Sequence, residues 1–592
     1  VKQVLVIGGG TGLTAAWLLE NQGIGVTLVD KNDRLGGHID TRQYQCIPQM
    51  LSSQPTQAQI NQVLSLTHLL FIRHPDGFEI GFCDTSGNYQ QKKITDPVLE
   101  AFLNQQPDGE FVIPVDDKTV NYIEQFNDLL RQASSCQRVT TYLIETGAEF
   151  IGERKSYPLF HTICDALNVK RNDYQLSMQV DYPGSPSVVL PPSSRQPSSQ
   201  KPSSFAWLYS MFSQTPAPAP DSRFHQIWNE FKDLLDTGLV MIDADQTLND
   251  SNQSMTLNTF VHLFVSKGGN EQIKKERQHF ADVFLYPMMA ASWGVPLEKI
   301  EEFVAHYTMN YLSLGETWVD IPEGLNTYIE NMRKQCSAAD IRLNTEITKL
   351  VAIQTGSDLK YKAQLADGSY LKSRDGEDLL FDDVIIATDG KISHDLLPDT
   401  PELADLKATL GKVDYYPTKI VIHRDPDKKY LSDHASVVHT HVEEKDGIKI
   451  AANTVCKYYK FDCKTGEVPI MRTWVLEGQN NPKNSIDVIP FAHPYINQAY
   501  YQAQQALHDA QGQHGLYFGG IIAGFNDSHE SGISAAIRAA DMIYEKYNTL
   551  QAASACTENR FKLFSDYLQH LDQLDAQSSQ LGAHEPALSL SA

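Results

Sequence analysis

Residues 1–41 read VKQVLVIGGGTGLTAAWLLENQGIGVTLVDKNDRLGGHIDT, and this stretch decides the fold. Lys2 to Ile7 is a short apolar run, which predicts a buried parallel strand. Gly8, Gly9, Gly10 and Gly12 follow at once. Leu13 to Gln22 has helix-forming composition. Val26 to Val29 is a second strand that ends on Asp30. Strand, glycine turn, helix, strand and acid make the dinucleotide-binding βαβ unit. Its parts have physical jobs. The glycines let the backbone turn tightly and approach a pyrophosphate. The helix N-terminus offers free N–H groups and a positive dipole end to phosphates. Asp30, at the end of the second strand, is placed to accept hydrogen bonds from ribose hydroxyls.

The turn departs from Gly-x-Gly-x-x-Gly in one respect. Gly8 and Gly10 match, but Gly12 comes one residue early. The distance from Gly12 to Asp30 is normal, so the short span lies between Gly10 and Gly12. Read as Gly10-x-Gly12-x-x-Ala15, the pattern is intact but shifted by two residues. Either the phosphate turn is unusually tight, or a residue is missing there.

Asp33-Arg34-Leu35-Gly36-Gly37-His38 follows the second strand. Asp30, Arg34, Gly36 and Gly37 together resemble the second signature of the FAD-binding amine oxidase and phytoene desaturase superfamily. His38 stands where that signature usually ends in Arg. The alternative is a Rossmann-like unit for NAD or for no ligand, and the Arg34–Gly37 run favours FAD. The resemblance returns near the C-terminus, in Gly515 to Tyr547 (GLYFGGIIAGFNDSHESGISAAIRAADMIYEKY). There Gly519, Gly520, Gly532, Ile533 and Ala536 match the superfamily's C-terminal flavin motif, with Gly520 in place of a frequent acid. In that motif a helix N-terminus points at the pyrimidine end of the flavin, where it stabilises negative charge. Between the two ends, Pro322-Glu323-Gly324-Leu325 resembles the re-entry into the nucleotide domain in bacterial amine-oxidase-like flavoproteins. The resemblance implies that the backbone at Ile347 meets the adenine side and that Ala387 and Thr388 pass near the dinucleotide. The cofactor-binding set is therefore Gly8, Gly10, Thr11, Gly12, Asp30, Lys31, Arg34, Gly36, Gly37, His38, Ile347, Ala387, Thr388, Gly519, Gly520, Gly532, Ile533 and Ala536. No Cys stands in a flavin-attachment context, so the expected FAD is noncovalent.

The fold expected is α/β. A Rossmann-type FAD domain of the amine oxidase type, from residues 1–45, 320–392 and 496–550, carries an inserted α+β substrate domain, 46–319 and 393–495. At 592 residues the chain is too long for one simple core. Helices are expected over Gln57–Leu70, Thr119–Ala133, Phe224–Leu235 and Asn270–Phe284, with 117–180 mostly helical. Strands are expected over Phe71–Phe82, Asn88–Ile94, Lys419–His423, Ser436–Val442 and Met471–Leu476. Residues 183–222 are dense in Pro and Ser and read as a flexible surface insertion. Its aromatic core, Phe205–Phe212, could dock on the body or on a partner. Residues 551–592 add a C-terminal helix and a polar tail.

The formal net charge of −24 argues against nucleic acid and anionic membrane surfaces as partners. No run is long enough to span a bilayer. The chain starts on a core strand, and its eight Cys are scattered, so a reduced, cytoplasmic protein is expected.

His529 and Glu530 open the last helix beside the expected flavin, and they are the catalytic candidates. His529 would position substrate or move a proton. The plain alternative is a helix start, with Ser528 or Ser531 as cap and Glu530 as a first-turn acid. His439 and His441 share one side of a predicted strand, a spacing that suits a metal but lacks a third ligand. Structural histidines are the better reading. The expected activity is an FAD-dependent oxidoreductase taking hydride from an apolar, acyl-chain or amine substrate, with an apolar small molecule favoured. A flavin-dependent double-bond isomerase and a non-catalytic flavin-binding scaffold are the alternatives.

Overall fold

Five parallel strands form the sheet that carries the glycine turn. In order across the sheet they are Asp340–Arg342, Gly25–Val29, Gln3–Ile7, Asp383–Ile386 and Leu516–Phe518. This arrangement is seen in a computed structural model, which describes residues 2–46, 70–74, 77–83, 89–93, 140–190, 222–234, 255–308, 317–425, 427–430, 437–445, 447–455, 470–548 and 560–569. The first strand of the chain lies at the centre of the sheet. Val4, Leu5 and Val6 are fully buried because both faces are covered, and so the strand is apolar without alternation. The helix Gly12–Leu19 is buried at every residue, against the last helix, His529–Asn548. A helix that is apolar all round has to be enclosed on all sides.

A second sheet of seven strands stands apart from the first. Its order is Val188–Leu190, Met178–Asp181, Val438–Lys445, Ile448–Val455, Met471–Leu476, Tyr415–His423 and Ser485–Pro494. All its pairings are antiparallel except that of Met178–Asp181 with Val438–Lys445. One face packs on the helix Tyr286–Trp293, where Asn453 Nδ2 donates to Ser292 Oγ at 3.2 Å. The helix Glu271–Phe280 runs into a π-turn, Ala281–Leu285, which leads into Tyr286–Trp293.

Two expectations need correction. Residues 140–181 hold four strands, Thr140–Glu145, Ile151–Gly152, Asn172–Gln175 and Met178–Asp181, and one helix, Pro158–Ala166, so the stretch is not mostly helical. The Thr-Thr-Tyr-Leu-Ile run is β-branched and aromatic, which suits a pleated surface better than a helix. The segment read as a flexible insertion from residue 183 also holds a strand near its start. Val188–Leu190 is an edge strand paired with Met178–Val180, because Val188, Val189 and Leu190 have apolar surface to bury. The expected helices Gln57–Leu70 (but for Leu70, which opens a strand) and Thr119–Ala133, and the aromatic run Phe205–Phe212, lie outside the described residues. No helix among the described residues is long and apolar enough to cross a membrane.

Candidate active site

Three backbones converge at the C-terminal edge of the central strands. Gly8 has φ +103°, and a Cβ there would lie 2.4 Å from the Ala387 carbonyl oxygen. A side chain at Gly520 would lie 2.4 Å from the Thr388 oxygen, which explains why no acid stands there. A Cβ at Gly12 would meet Val6 and Ala387 at 2.9 and 3.0 Å. Gly12 thus serves the close packing of helix on strand that the third glycine of the motif serves.

The helix start is open. Thr11, at its N-cap, donates its hydroxyl to the Gly519 carbonyl at 2.6 Å and makes no side-chain cap bond to the helix. No acidic side chain stands in the first turn. Asp30 is buried at the end of the second strand. Its two oxygens accept the N–H groups of Gly9 at 2.7 Å and Asn32 at 2.8 Å, and each keeps a lone pair for a further donor. An uncapped helix N-terminus beside glycines and a fixed carboxylate fits a pyrophosphate and a ribose.

The Arg34–His38 loop is held against this turn. Gly36 N–H donates to the Gly9 carbonyl at 2.9 Å. Arg34 braces its own loop, donating to the carbonyls of Ile39 and Gly37 and pairing with Asp40 at 3.2 Å. Ala148 N–H donates to the His38 carbonyl at 2.7 Å. The His38 ring faces the cavity described next, 5.6 Å from the Phe491 ring. Burial lowers its pKa, against the pull of Asp389, so it is a neutral group where the superfamily signature has an arginine.

One cavity of about 970 Å³ joins these parts to the second sheet. That is the upper end of the range for ligand pockets. Gly8, Gly10, Thr11, Asp30, Lys31, Arg34, Gly36, Gly37, His38, Ile347, Ala387, Thr388, Gly520 and His529 all line it. Gly12, Gly519, Gly532, Ile533 and Ala536 do not. They form the packing beneath it: Ile533 and Ala536 are fully buried, and a Cβ at Gly532 would lie 2.7 Å from Thr11 Cγ2.

Glu530 is a correction. It does not reach the cavity. Its carboxylate accepts the N–H groups of Leu159 at 2.6 Å and Phe160 at 2.9 Å, at the start of the helix Pro158–Ala166. It satisfies the orphan donors of another helix, so its role is structural. Burial pushes its carboxyl up to about 8, against those two N–H donors. Ser528 Oγ accepts the Ser531 N–H at 3.1 Å and caps the last helix.

His529 faces the cavity with its Nε2 bonded to the Tyr328 hydroxyl. Burial lowers the histidine to about 3, with His38 adding to the effect, and raises the tyrosine well above its usual value. Both are neutral at physiological pH. His439 and His441 point elsewhere: His439 Nε2 meets Asp181 at 2.7 Å, and His441 packs on the Tyr430 ring. Among the described residues no group of three or more His, Cys, Asp and Glu could hold a metal.

Sequence reasoning missed charged cavity residues, Arg472, Glu149 and Asp527 among them. Arg472, on a central strand of the second sheet, donates to Glu149 at 2.9 Å and to the Gly147 carbonyl at 2.9 Å, and its guanidinium lies 5.7 Å from the Trp474 ring. Asp527 accepts the Trp293 indole N–H at 2.6 Å through Oδ2, while its buried Oδ1 has no hydrogen-bond partner. The sequence signal was Asn526-Asp527-Ser528, polar residues just ahead of a helix. Burial raises Asp527 to about 6 from 3.8. A raised carboxyl stabilises the fold fully below the unfolded value, about 3.8, and that contribution is lost as pH rises through about 6. Trp293 fluorescence should therefore titrate in the ligand-free protein with a midpoint near 6, and Asp527→Asn should flatten the curve. An unchanged curve in the variant would assign the transition to another group.

The comparisons follow this geometry. Residues 134–489 match the flavin containing amine oxidoreductase family, and residues 6–56 match the NAD(P)-binding Rossmann-like domain. No curated protein matches the sequence. Among solved structures, the CLA-producing fatty acid isomerase from P. acnes is similar, with TM-score 0.50 and 11% identity over 92% of this chain and 98% of that one. Cyclohexylamine oxidase from Brevibacterium oxydans IH-35A is similar too, with TM-score 0.50 and 13% identity over 92% of this chain and 99% of that one. At such identities the likeness is one of fold. The family match spans more than half of the chain, and the chain belongs to the flavin containing amine oxidoreductase family.

Proposed function

We propose that this chain is an oxidoreductase that binds one FAD noncovalently and acts on an apolar, acyl-chain substrate. The observation that carries this reading is the continuity of the cavity. It runs from the Gly8–Thr11 turn and Asp30 to an apolar arm lined by Leu176, Met178, Leu190, Trp228, Met288 and Met289. Methionine and leucine walls adapt to a flexible chain.

When bound, FAD supplies the hydride acceptor. The chain's own residues do the rest. The open helix N-terminus and the glycine turn hold the pyrophosphate, and Asp30 holds the ribose. His38 and His529, both neutral, offer hydrogen bonds without adding charge.

Purified protein should be yellow, with its flavin absorbance released on denaturation. Asp30→Ala should weaken FAD binding by about tenfold, the size of one charge-assisted hydrogen bond. A colourless protein that cannot be reconstituted with FAD would overturn the cofactor assignment. Anaerobic mixing with long-chain acyl compounds should bleach the flavin. Conversion without net bleaching would mark an isomerase instead.

Asp527 favours a second reading. A buried carboxylate oxygen without a partner, in a cavity also lined by Trp293 and Tyr500, suits the ammonium of an amine. Bleaching by amines alone, lost in Asp527→Asn, would establish it over the acyl reading.

A further inference from the structure

The strand Ser485–Pro494 ends the second sheet, where it pairs with Tyr415–His423. Phe491 and His493 are two residues apart on it, so they share one face, and both line the cavity. Their rings stack at 6.3 Å with 26° between the planes. Trp474 closes the patch, 5.1 Å from Phe491 and 6.4 Å from His493. His38 reaches the same patch from the loop beside the glycine turn, 5.6 Å from Phe491. His493 thus stands where the nucleotide side of the cavity meets the second sheet.

The backbone fixes which nitrogen of His493 can accept. Nδ1 lies 3.1 Å from the Pro494 carbonyl oxygen. A carbonyl only accepts, so the ring proton is assigned to Nδ1, which donates. Burial lowers His493 to about 4, against the pull of that carbonyl, and His38 adds to the lowering. The ring is therefore neutral at physiological pH, and Nε2 keeps its lone pair. Among the described residues no hydrogen bond reaches Nε2.

The surroundings decide what such an acceptor selects. A carboxylate would turn its own lone pairs toward that of Nε2 and gain no bond. An ammonium would need a counter-charge, and the titratable neighbour that acts on His493 is another neutral histidine, His38. A hydroxyl satisfies Nε2 with one hydrogen bond and brings no charge into the patch. The Phe491 and Trp474 rings suit the hydrocarbon that flanks it.

We propose that Nε2 of His493 accepts a hydrogen bond from a hydroxyl group on the substrate's hydrocarbon chain, so that the site selects hydroxylated acyl chains over plain ones. This rests on the acyl-chain reading and narrows it. In this role His493 orients the chain and takes no proton from it.

Calorimetric titration of the flavin-loaded protein tests the assignment. The probes are methyl hydroxystearates with the hydroxyl at successive positions, each compared with its own O-methyl ether. The best alcohol should bind about tenfold more tightly than its ether, the size of one hydrogen bond. His493→Phe should raise the Kd of that alcohol about tenfold and leave the Kd of the ether as in the wild type. His493→Gln, whose amide oxygen can accept, should recover part of the loss. In protein carrying isotope-labelled histidine, the Nε2 signal missing from His493→Phe should be that of a bare nitrogen. It should shift with the alcohol and not with the ether. A protonated Nε2 in the free protein would overturn the assignment. If alcohol and ether bind the wild type equally, a comparison that needs no variant, the hydroxyl inference is wrong and the acyl-chain reading stands. If His493→Phe weakens both equally, His493 shapes the wall and accepts nothing. If neither probe binds the wild type, the acyl-chain reading itself fails.

Discussion

Arg472→Ala should lower the stability of the folded protein by about 3–5 kcal/mol, the cost of breaking a buried ion pair from one side. The side chains of Arg472 and Glu149 are each only 2% exposed. Removing the guanidinium takes a charged donor from the buried Glu149 carboxylate and from the Gly147 carbonyl. The loss reaches the site, because the loop of Gly147 also holds the His38 backbone through Ala148. The measurement is urea unfolding followed by tryptophan fluorescence, since Trp474 lies beside the guanidinium. A loss of only about 0–1 kcal/mol, as for a surface pair, would mean that water reaches the two charges. The double variant Arg472→Met, Glu149→Met separates pair loss from packing loss. Apolar replacement of a whole buried pair is often close to neutral, so it should recover most of the stability lost in Arg472→Ala.

The Arg472–Glu149 pair shows where sequence reading stops. Its two residues are 323 positions apart, and neither sits in a motif. The nucleotide sheet was legible because its strands are continuous apolar runs with glycine or acid at their ends, and that signal is local. The same holds for Asp30 and for the Gly8 turn. Glu530 misled for a related reason. Locally it is a first-turn acid beside a histidine, but its carboxylate serves backbone donors 370 and 371 positions away. Thr140–Glu145 falls within a stretch expected to be mostly helical, and the partner that makes it a strand, Thr41–Cys46, is also remote. The apolar arm was invisible for the same cause. Leu176 and Met178, Leu190, Trp228, and Met288 and Met289 come from four separate stretches, and nothing in the sequence says that they line one cavity. Chemistry carried by chain-local backbone geometry can be read from sequence. Chemistry carried by long-range packing cannot.

His529→Ala should slow substrate-dependent flavin bleaching by about 10²-fold, within the usual range for a positioned proton-handling or hydrogen-bonding group. The Tyr328 hydroxyl is buried and held protonated, with Nε2 of His529 as its partner, and we assign the tyrosine as donor to that nitrogen because this satisfies the buried O–H. The proton of the neutral imidazole then sits on Nδ1. His529 is therefore a fixed neutral donor, since burial holds its charged form out of reach above about pH 3. The rate should accordingly show no His529 transition between pH 5 and 8, where a free histidine would titrate. Stability should fall too, by about 1–3 kcal/mol, because the alanine variant leaves the Tyr328 hydroxyl buried without a partner. Adding Tyr328→Phe removes that orphaned group, so the double variant should regain stability while the rate stays low. If stability and rate recover together, His529 acts only by holding the fold. If Tyr328→Phe alone leaves both rate and pH profile unchanged, the tyrosine does not fix the tautomer. Retention of flavin in all three variants is part of the expectation, since the His529 ring bonds Tyr328, while Asp30 holds the glycine turn through the Gly9 N–H.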